Sequence, residues 1–247
     1  MSRLEIIALE GLPEIQPGDD LAALLRAAAP EGGLRSDDVL VLAQKIVSKA
    51  EGAIVDLADV RPTARARFLA HEHGKDARVM QVVLDQSAEI VRAVDGVIVS
   101  RTRHGFVCAN AGVDASNAGG EERVITLPRD PDASARALRA AIPERPAIII
   151  TDSFGRAWRH GQTDVAIGLA GLAGLDDWRG REDAEGRELH ATVIAIADEA
   201  AAAADLVRRK DAGIPAALVR GLGRYVTADD GPGAAELVRP LAEDLFR

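Results

Sequence analysis

Two short apolar runs set the strongest limit on what this chain can become. Asp38-Val39-Leu40-Val41-Leu42-Ala43 and Pro146-Ala147-Ile148-Ile149-Ile150 are almost wholly aliphatic, and each stops abruptly at polar residues, Gln44-Lys45 and Thr151-Asp152. Apolar runs this short, rich in Val and Ile, read as buried strands. Further strands are predicted over Leu4–Leu9, Glu188–Ala197 and Pro215–Arg220. Gly96–Arg101 and Gly105–Asn110 read as a pair joined by the polar turn Thr102-Arg103-His104.

Helical spacing falls between these runs. Leu21, Leu24 and Leu25 recur on one face behind Asp19 or Asp20 as a cap. Thr63–Val94 reads as helix broken at Gly74. Asp130 caps a helix over Ala133–Ala141, with Pro131 at its first position. Asp198–Lys210 is an Ala-rich helix with a basic end that suits its dipole, and Gly233–Phe246 a closing helix. The small-residue stretch Gln162–Leu175 reads as close-packed backbone. Strands and helices mix without regular alternation, and no linker or long repeat divides the chain. One compact α+β unit spanning 1–247 is therefore predicted.

The composition narrows the partners. At 47% hydrophobic and 28% charged the chain is globular, not disordered. Aromatics are only 3%, so the core must be built from Ala, Leu, Val and Ile, and a surface that stacks bases is not expected. The net charge is −9 with no long basic run, which argues against a nucleic-acid partner. Arg208-Arg209-Lys210 suits a small anion better. The single cysteine, Cys108, rules out an intramolecular disulfide and a Cys-rich zinc site, and reads as a small buried residue. Arg3, Glu5 and Glu10 interrupt any signal pattern, and no apolar run approaches ~20 residues, so a cytoplasmic protein without a membrane span is expected.

Three blocks could carry chemistry. In the first, Asp152 follows a buried strand, with Ser153, Gly155, Arg156 and Arg159 close behind. An acid there is placed where a sheet edge meets a cleft, and the arginines could face phosphate or carboxylate; a helix-cap-like acid with surface arginines is the plain alternative. In the second, Asn110-Ala111-Gly112-Val113-Asp114-Ala115-Ser116-Asn117 offers the oxygen atoms a hard cation such as Mg²⁺ or Mn²⁺ needs, and equally the residues of an ordinary turn. In the third, Lys45 and Lys49 would share a helix face, to bind nucleotide phosphates or simply to meet solvent. The spacing is not that of a Walker loop. If Asp114 and Asp152 meet, their repulsion, roughly 4 kcal/mol at 4 Å and an effective dielectric near 20, would call for a divalent cation or a shared proton. No histidine is assigned as a ligand, and no pattern singles out a general base or nucleophile.

Together these blocks resemble a known family, the coenzyme F420-0:L-glutamate ligases (F420-0 gamma-glutamyl ligases). The matching segments are Gly11-Leu12-Pro13-Glu14-Ile15, Pro17-Gly18-Asp19-Asp20, Ala43 to Gly52, Ala111 to Asn117 and Ile150 to Asp164. Ala197-Asp198-Glu199, Ala204-Asp205-Leu206 and Val219-Arg220-Gly221 follow in order. The resemblance implies a mixed α/β fold forming an intertwined homodimer. It implies GTP-dependent amide formation between F420-0 and L-glutamate through an acyl phosphate, releasing GDP and phosphate, with further γ-linked glutamates as an extension. It implies Mg²⁺ or Mn²⁺, and K⁺ as a stimulant. A related ligase acting on a different carboxylate acceptor is the alternative.

By residue, the resemblance puts Asp114 and Asp152 on one cation and Ser153 on a second. It puts Leu12, Pro13, Glu14, Ile15, Gln44, Lys45, Lys49 and Asn117 on GTP, together with Arg208, Arg209, Lys210, Asp211, Ala212, Gly213, Ile214 and Pro215. Two departures stand out. Ser153 replaces the usual Thr but keeps the hydroxyl. Lys210 replaces a ligating Gln, and an ammonium donates without ligating, so a second cation is less secure than the first. Some bacterial relatives continue into a reductase-like domain; this chain is expected to be the ligase alone.

Overall fold

The two apolar runs become neighbouring strands of one sheet. The computed structural model describes residues 3–209 and 211–245. The elements, in chain order, are β1 (Glu5–Ala8), α1 (Leu21–Ala27), β2 (Val39–Ala43), α2 (Gln44–Ala50), β3 (Ile54–Asp56), α3 (Ala64–His73) and α4 (Ala77–Gln86). Then come β4 (Ser87–Val94), β5 (Val97–Thr102), β6 (Val107–Ala109), β7 (Arg123–Ile125), α5 (Pro131–Ala141), β8 (Ala147–Arg156) and β9 (Arg159–Ala170). The last are β10 (Asp176–Asp177), β11 (Val193–Ile194), α6 (Ile196–Asp205) and β12 (Ala216–Arg220). This is an α+β arrangement in one compact unit.

The main sheet has five strands in the order β1-β12-β2-β8-β9. β2 and β8 pair in parallel, Leu42 opposite Ile150, while β12 is antiparallel to both β1 and β2. It follows that β1, β2 and β8 run the same way, and their C-terminal ends share one edge. Side-chain alternation splits the strands between two cores. Leu40, Leu42, Ile148 and Ile150 pack with Leu21, Leu25, Ile46 and Val47 of α1 and α2. Val39, Val41, Ile149 and Val219 pack under Ala197, Ala200, Ala201 and Ala204 of α6. The alanines of α6 allow close approach to the sheet, the consequence of a core almost without aromatic rings. A third cluster, with Leu57, Met80, Val83 and Ile98, fills the lobe built from α3, α4 and the three-stranded sheet β4-β5-β6.

Local chemistry explains the element ends. The Asp20 carboxylate accepts from the Ala23 amide at 3.0 Å, and the Asp130 carboxylate from Ala133 at 2.9 Å, capping α1 and α5. Thr63 caps α3, and Gly74 closes it with φ 62°.

Several predicted boundaries move. Ser87–Val94 is a strand, not the end of a helix. Asp95 (φ 48°) and Gly96 (φ 78°) form a tight left-handed turn that folds β4 onto β5, so the Asp-Gly hairpin signal outweighs the helical pattern. Of the predicted strand Gly105–Asn110 only Val107–Ala109 remains, because Asn110 and Ala111, both at φ 52°, form a left-handed turn. Glu188–Ala197 yields only Val193–Ile194, and α6 begins at Ile196. α6 ends at Asp205 without a basic last turn, so Arg208 and Arg209 lie beyond it, and Lys210 lies outside the described residues. The closing helix is replaced by 3-10 turns at Ala234–Leu237 and Leu241–Glu243, since Pro240 cannot continue a helix; Phe246 lies outside the described residues.

The largest change concerns β8, which does not stop at Asp152. It runs on to Arg156 and pairs along its length with β9, which takes up most of the Gln162–Leu175 stretch. The close packing expected there is present: a Cβ on Gly168 would lie 2.5 Å from the Pro131 carbonyl oxygen. Gly168→Ala is therefore expected to destabilise the fold by about 1–3 kcal/mol, read as a lower urea midpoint at unchanged slope.

Candidate active site

The shared edge of β1, β2 and β8 collects the segments singled out in the sequence. Open sheets with parallel strands bind ligands in this position, beyond the carboxyl ends of the strands. Residues 12–15 leave β1 there, α2 leaves β2 there, and Pro215 enters β12 there, its carbonyl accepting from the Ala43 amide at 2.8 Å. The loop carrying Asp114 reaches the same edge from the smaller lobe, anchored by a bridge between Asp114 and Ile125.

α2 supplies the cations. Lys45 and Lys49 do share a face, but neither is simply solvated. The Lys45 ammonium lies 2.8 Å from an Asp114 carboxylate oxygen and donates to the Ser116 hydroxyl at 2.7 Å. Lys49 is buried and ion-paired with Glu14 of the 12–15 loop. Gln44 opens the helix, buried; its side-chain oxygen accepts from the Ser48 hydroxyl at 2.7 Å, and its side-chain nitrogen finds no hydrogen-bond partner among the described residues.

The acids sit opposite. Burial pushes the Asp114 carboxyl up, but the Lys45 ammonium and the Ser116 amide and hydroxyl outweigh it, and it ends below the usual carboxylate range. Asp152 behaves in the opposite way. Burial, then the nearby Asp164 and Asp114 charges, push its carboxyl up to about 7 against the opposing Ser153 amide and Lys45 ammonium. The Asp114 and Lys45 charges thus both reach Asp152. Cys108 lies close enough for the Asp152 charge to add to burial, and its thiol is pushed up to about 12, an inert buried side chain as expected.

β8 alternates without interruption here, because the extra residue of its pairing with β9 lies on β9, between Ala166 and Gly168. Asp152 therefore shares a face with Ile148 and Ile150, toward α1 and α2, while Thr151 and Ser153 point to the α6 face. On that face the Ser153 and Thr151 hydroxyls each donate to Asp164 at 2.7 Å, one to each carboxylate oxygen. Arg208 pairs with Asp164 and donates to the Thr151 oxygen at 3.1 Å, with both charged side chains buried. Sequence alone gives Asp164 no role beyond its place in a matching segment. The available signal is a lone acid entering a stretch of small and apolar residues.

Other expected positions are more dispersed. Arg156 turns back onto the carbonyls of His160 and Gly161 at the exposed hairpin turn, and Arg159 is exposed beside it. Arg209 pairs with Asp211 at 2.7 Å on the surface, followed by exposed Ala212 and Gly213 and half-buried Ile214 and Pro215. Asn117 is exposed, with φ 56°. Among the described residues no group of three or more His, Cys, Asp and Glu side chains is arranged to hold a metal ion by itself, and no helix is long and apolar enough to cross a membrane.

Comparison with known proteins assigns the arrangement to a family. Coenzyme F420:L-glutamate ligase of Methanothermobacter thermautotrophicus is 44% identical, over 99% of both chains. The Methanopyrus kandleri protein of the same name is also 44% identical, covering 99% of this chain and 97% of its own. That of Haloarcula marismortui is 41% identical, covering 99% and 96%. Residues 11–221, which include α2 and both acid-bearing segments, match the family described as F420-0:Gamma-glutamyl ligase, and the chain belongs to that family of ligases.

Proposed function

We propose that this chain attaches L-glutamate to coenzyme F420-0 at the expense of GTP. In this reading the terminal carboxylate of the acceptor attacks the γ-phosphorus, the bond to the β-phosphate breaks and GDP leaves. The glutamate amine then attacks the acyl phosphate carbon, the carbon–oxygen bond to phosphate breaks, and the amine gives up a proton. Repetition on the new γ-carboxylate would lengthen the tail. The observation that carries the reading is the full-length likeness to proteins named coenzyme F420:L-glutamate ligase, together with a carboxylate and lysine cluster at the ligand-binding edge of the sheet.

The residues fit a divalent cation. Asp152 is crowded by two further carboxylates, and the donors are all oxygen, the preference of Mg²⁺ and Mn²⁺. Such ions are usually held by one or two carboxylates with phosphates and water completing the shell, which agrees with the lack of a self-sufficient protein cluster among the described residues. In this reading Asp114 and Asp152 hold the ion, Ser153 contributes a neutral oxygen toward a second, and the ion neutralises charge on the nucleotide phosphates. Lys45 and Lys49 would face the phosphates with Gln44, Asn117, the 12–15 loop and the segment from Arg208 to Pro215 around the nucleotide. K⁺ as a stimulant, a cytoplasmic location and a homodimer belong to the same reading.

The test is GDP release measured with each component omitted in turn. The reading requires release that depends on F420-0, L-glutamate and the divalent ion together; release indifferent to F420-0 would reject it. A pH dependence follows. Protons compete with the cation at Asp152, so Mn²⁺ affinity should fall about tenfold per pH unit below about 7 and level off above it, measured by Mn²⁺ electron paramagnetic resonance.

A further inference from the structure

The α6 face of β8 carries an arrangement that the ligand assignments do not use. Asp164 is 4% exposed, and both its carboxylate oxygens are occupied: one by the Ser153 hydroxyl, the other by Thr151 and Arg208. A carboxylate saturated in this way is poorly suited to be a cation ligand. Its partners, however, are the residues on either side of Asp152. A hydroxyl that donates its proton to a carboxylate keeps its oxygen lone pairs for another direction. Arg208 in turn is the first residue of the segment leading to Pro215, whose carbonyl is bonded to Ala43 beside α2.

We propose that Asp164, held by Arg208, is a positioning residue: it fixes the Ser153 proton so that the Ser153 oxygen keeps its lone pairs open toward the second cation. This rests on the glutamyl-ligase reading for the identity of the reaction. The orienting role makes a prediction that a purely structural ion pair does not. In Asp164→Asn the amide oxygen can still accept from Arg208 and Thr151, but the amide nitrogen must then face Ser153 and donate to it. The serine lone pair is consumed, and its proton turns away.

The test is a double-mutant cycle of Asp164→Asn and Ser153→Ala, read both as kcat and as Mn²⁺ affinity in the presence of GDP by electron paramagnetic resonance. Each single variant is expected to lose about 10- to 100-fold in both, the usual effect of removing the partner of a ligand. The double variant is expected to be no worse than Ser153→Ala alone, because Asp164 acts through Ser153. Losses that multiply would overturn the proposal and leave Asp164 a structural residue. If Asp164→Asn does not fold, Asp164→Glu, which keeps the charge for Arg208 but displaces the oxygen that accepts from Ser153, replaces it in the same cycle with the same criterion. Wild-type protein that binds Mn²⁺ but transfers no glutamate defeats the ligase reading alone, since the affinity arm of the cycle still decides the role of Asp164. Wild-type protein that binds no Mn²⁺ with GDP defeats the positioning role as well.

Discussion

Asp152→Asn is expected to lower glutamyl transfer by at least about 10²–10³-fold, the range seen when one preorganised electrostatic contact to a transition state is lost, while the fold stays intact. The variant keeps the shape of the side chain and its place in β8, so the strand pairing with β2 and β9 is unaffected. What it removes is the negative charge. The same substitution should make the metal-free protein more stable at alkaline pH. The Asp152 carboxyl is raised to about 7 in the fold, from an ordinary value of 3.8, so the fold favours its protonated form. That contribution is fully present below about 4 and is lost as pH rises through about 7. Asparagine cannot ionise. In chelator, wild type and variant should therefore have similar denaturation midpoints near pH 4. At pH 8 the variant should lead by up to a few kcal/mol, since each pH unit crossed between the two values costs the wild type about 1.4 kcal/mol. Activity that survives the substitution would remove Asp152 from the centre. A stability difference that runs the other way with pH would show that its carboxylate is not crowded in the fold.

Arg208→Met is expected to have the largest effect on stability, about 3–5 kcal/mol, because it leaves the buried Asp164 carboxylate without its counter-charge. Folded domains hold only about 5–15 kcal/mol in reserve, so the variant should melt far below wild type. Removing both charges in Asp164→Leu with Arg208→Met should recover much of that loss, since replacing a buried pair by apolar groups is often close to neutral. Thermal melts of the three proteins decide it. A single variant within about 1 kcal/mol of wild type would mean that the pair resembles an ordinary surface salt bridge, despite its burial.

The sequence is most legible where a local rule acts alone. The strands at Asp38–Ala43 and Pro146–Ile150 and the caps Asp20 and Asp130 are all found. It is least legible where long-range pairing overrides a local pattern. Ser87–Val94 looks helical until Asp95-Gly96 folds it back on β5. The polar residues after Ile150 look like a strand end until β9 is present to pair with them. The same partner strand explains why sequence alone misses Asp164: its role depends on facing Ser153 across β8 and β9 and on Arg208 arriving from beyond α6, neither of which is written in local spacing. The grouping of Asp152 with Ser153 is likewise too simple. Neighbours in sequence, they point to opposite faces of one strand and take different partners.

The central claim is best tested on the product. Purified protein is incubated with GTP, Mn²⁺, L-glutamate and F420-0, and the deazaflavin is examined by mass spectrometry. The account predicts a gain of one glutamyl residue, or of several in series, dependent on GTP. F420-0 recovered unchanged, from protein that is folded and binds Mn²⁺ and GTP, would contradict it.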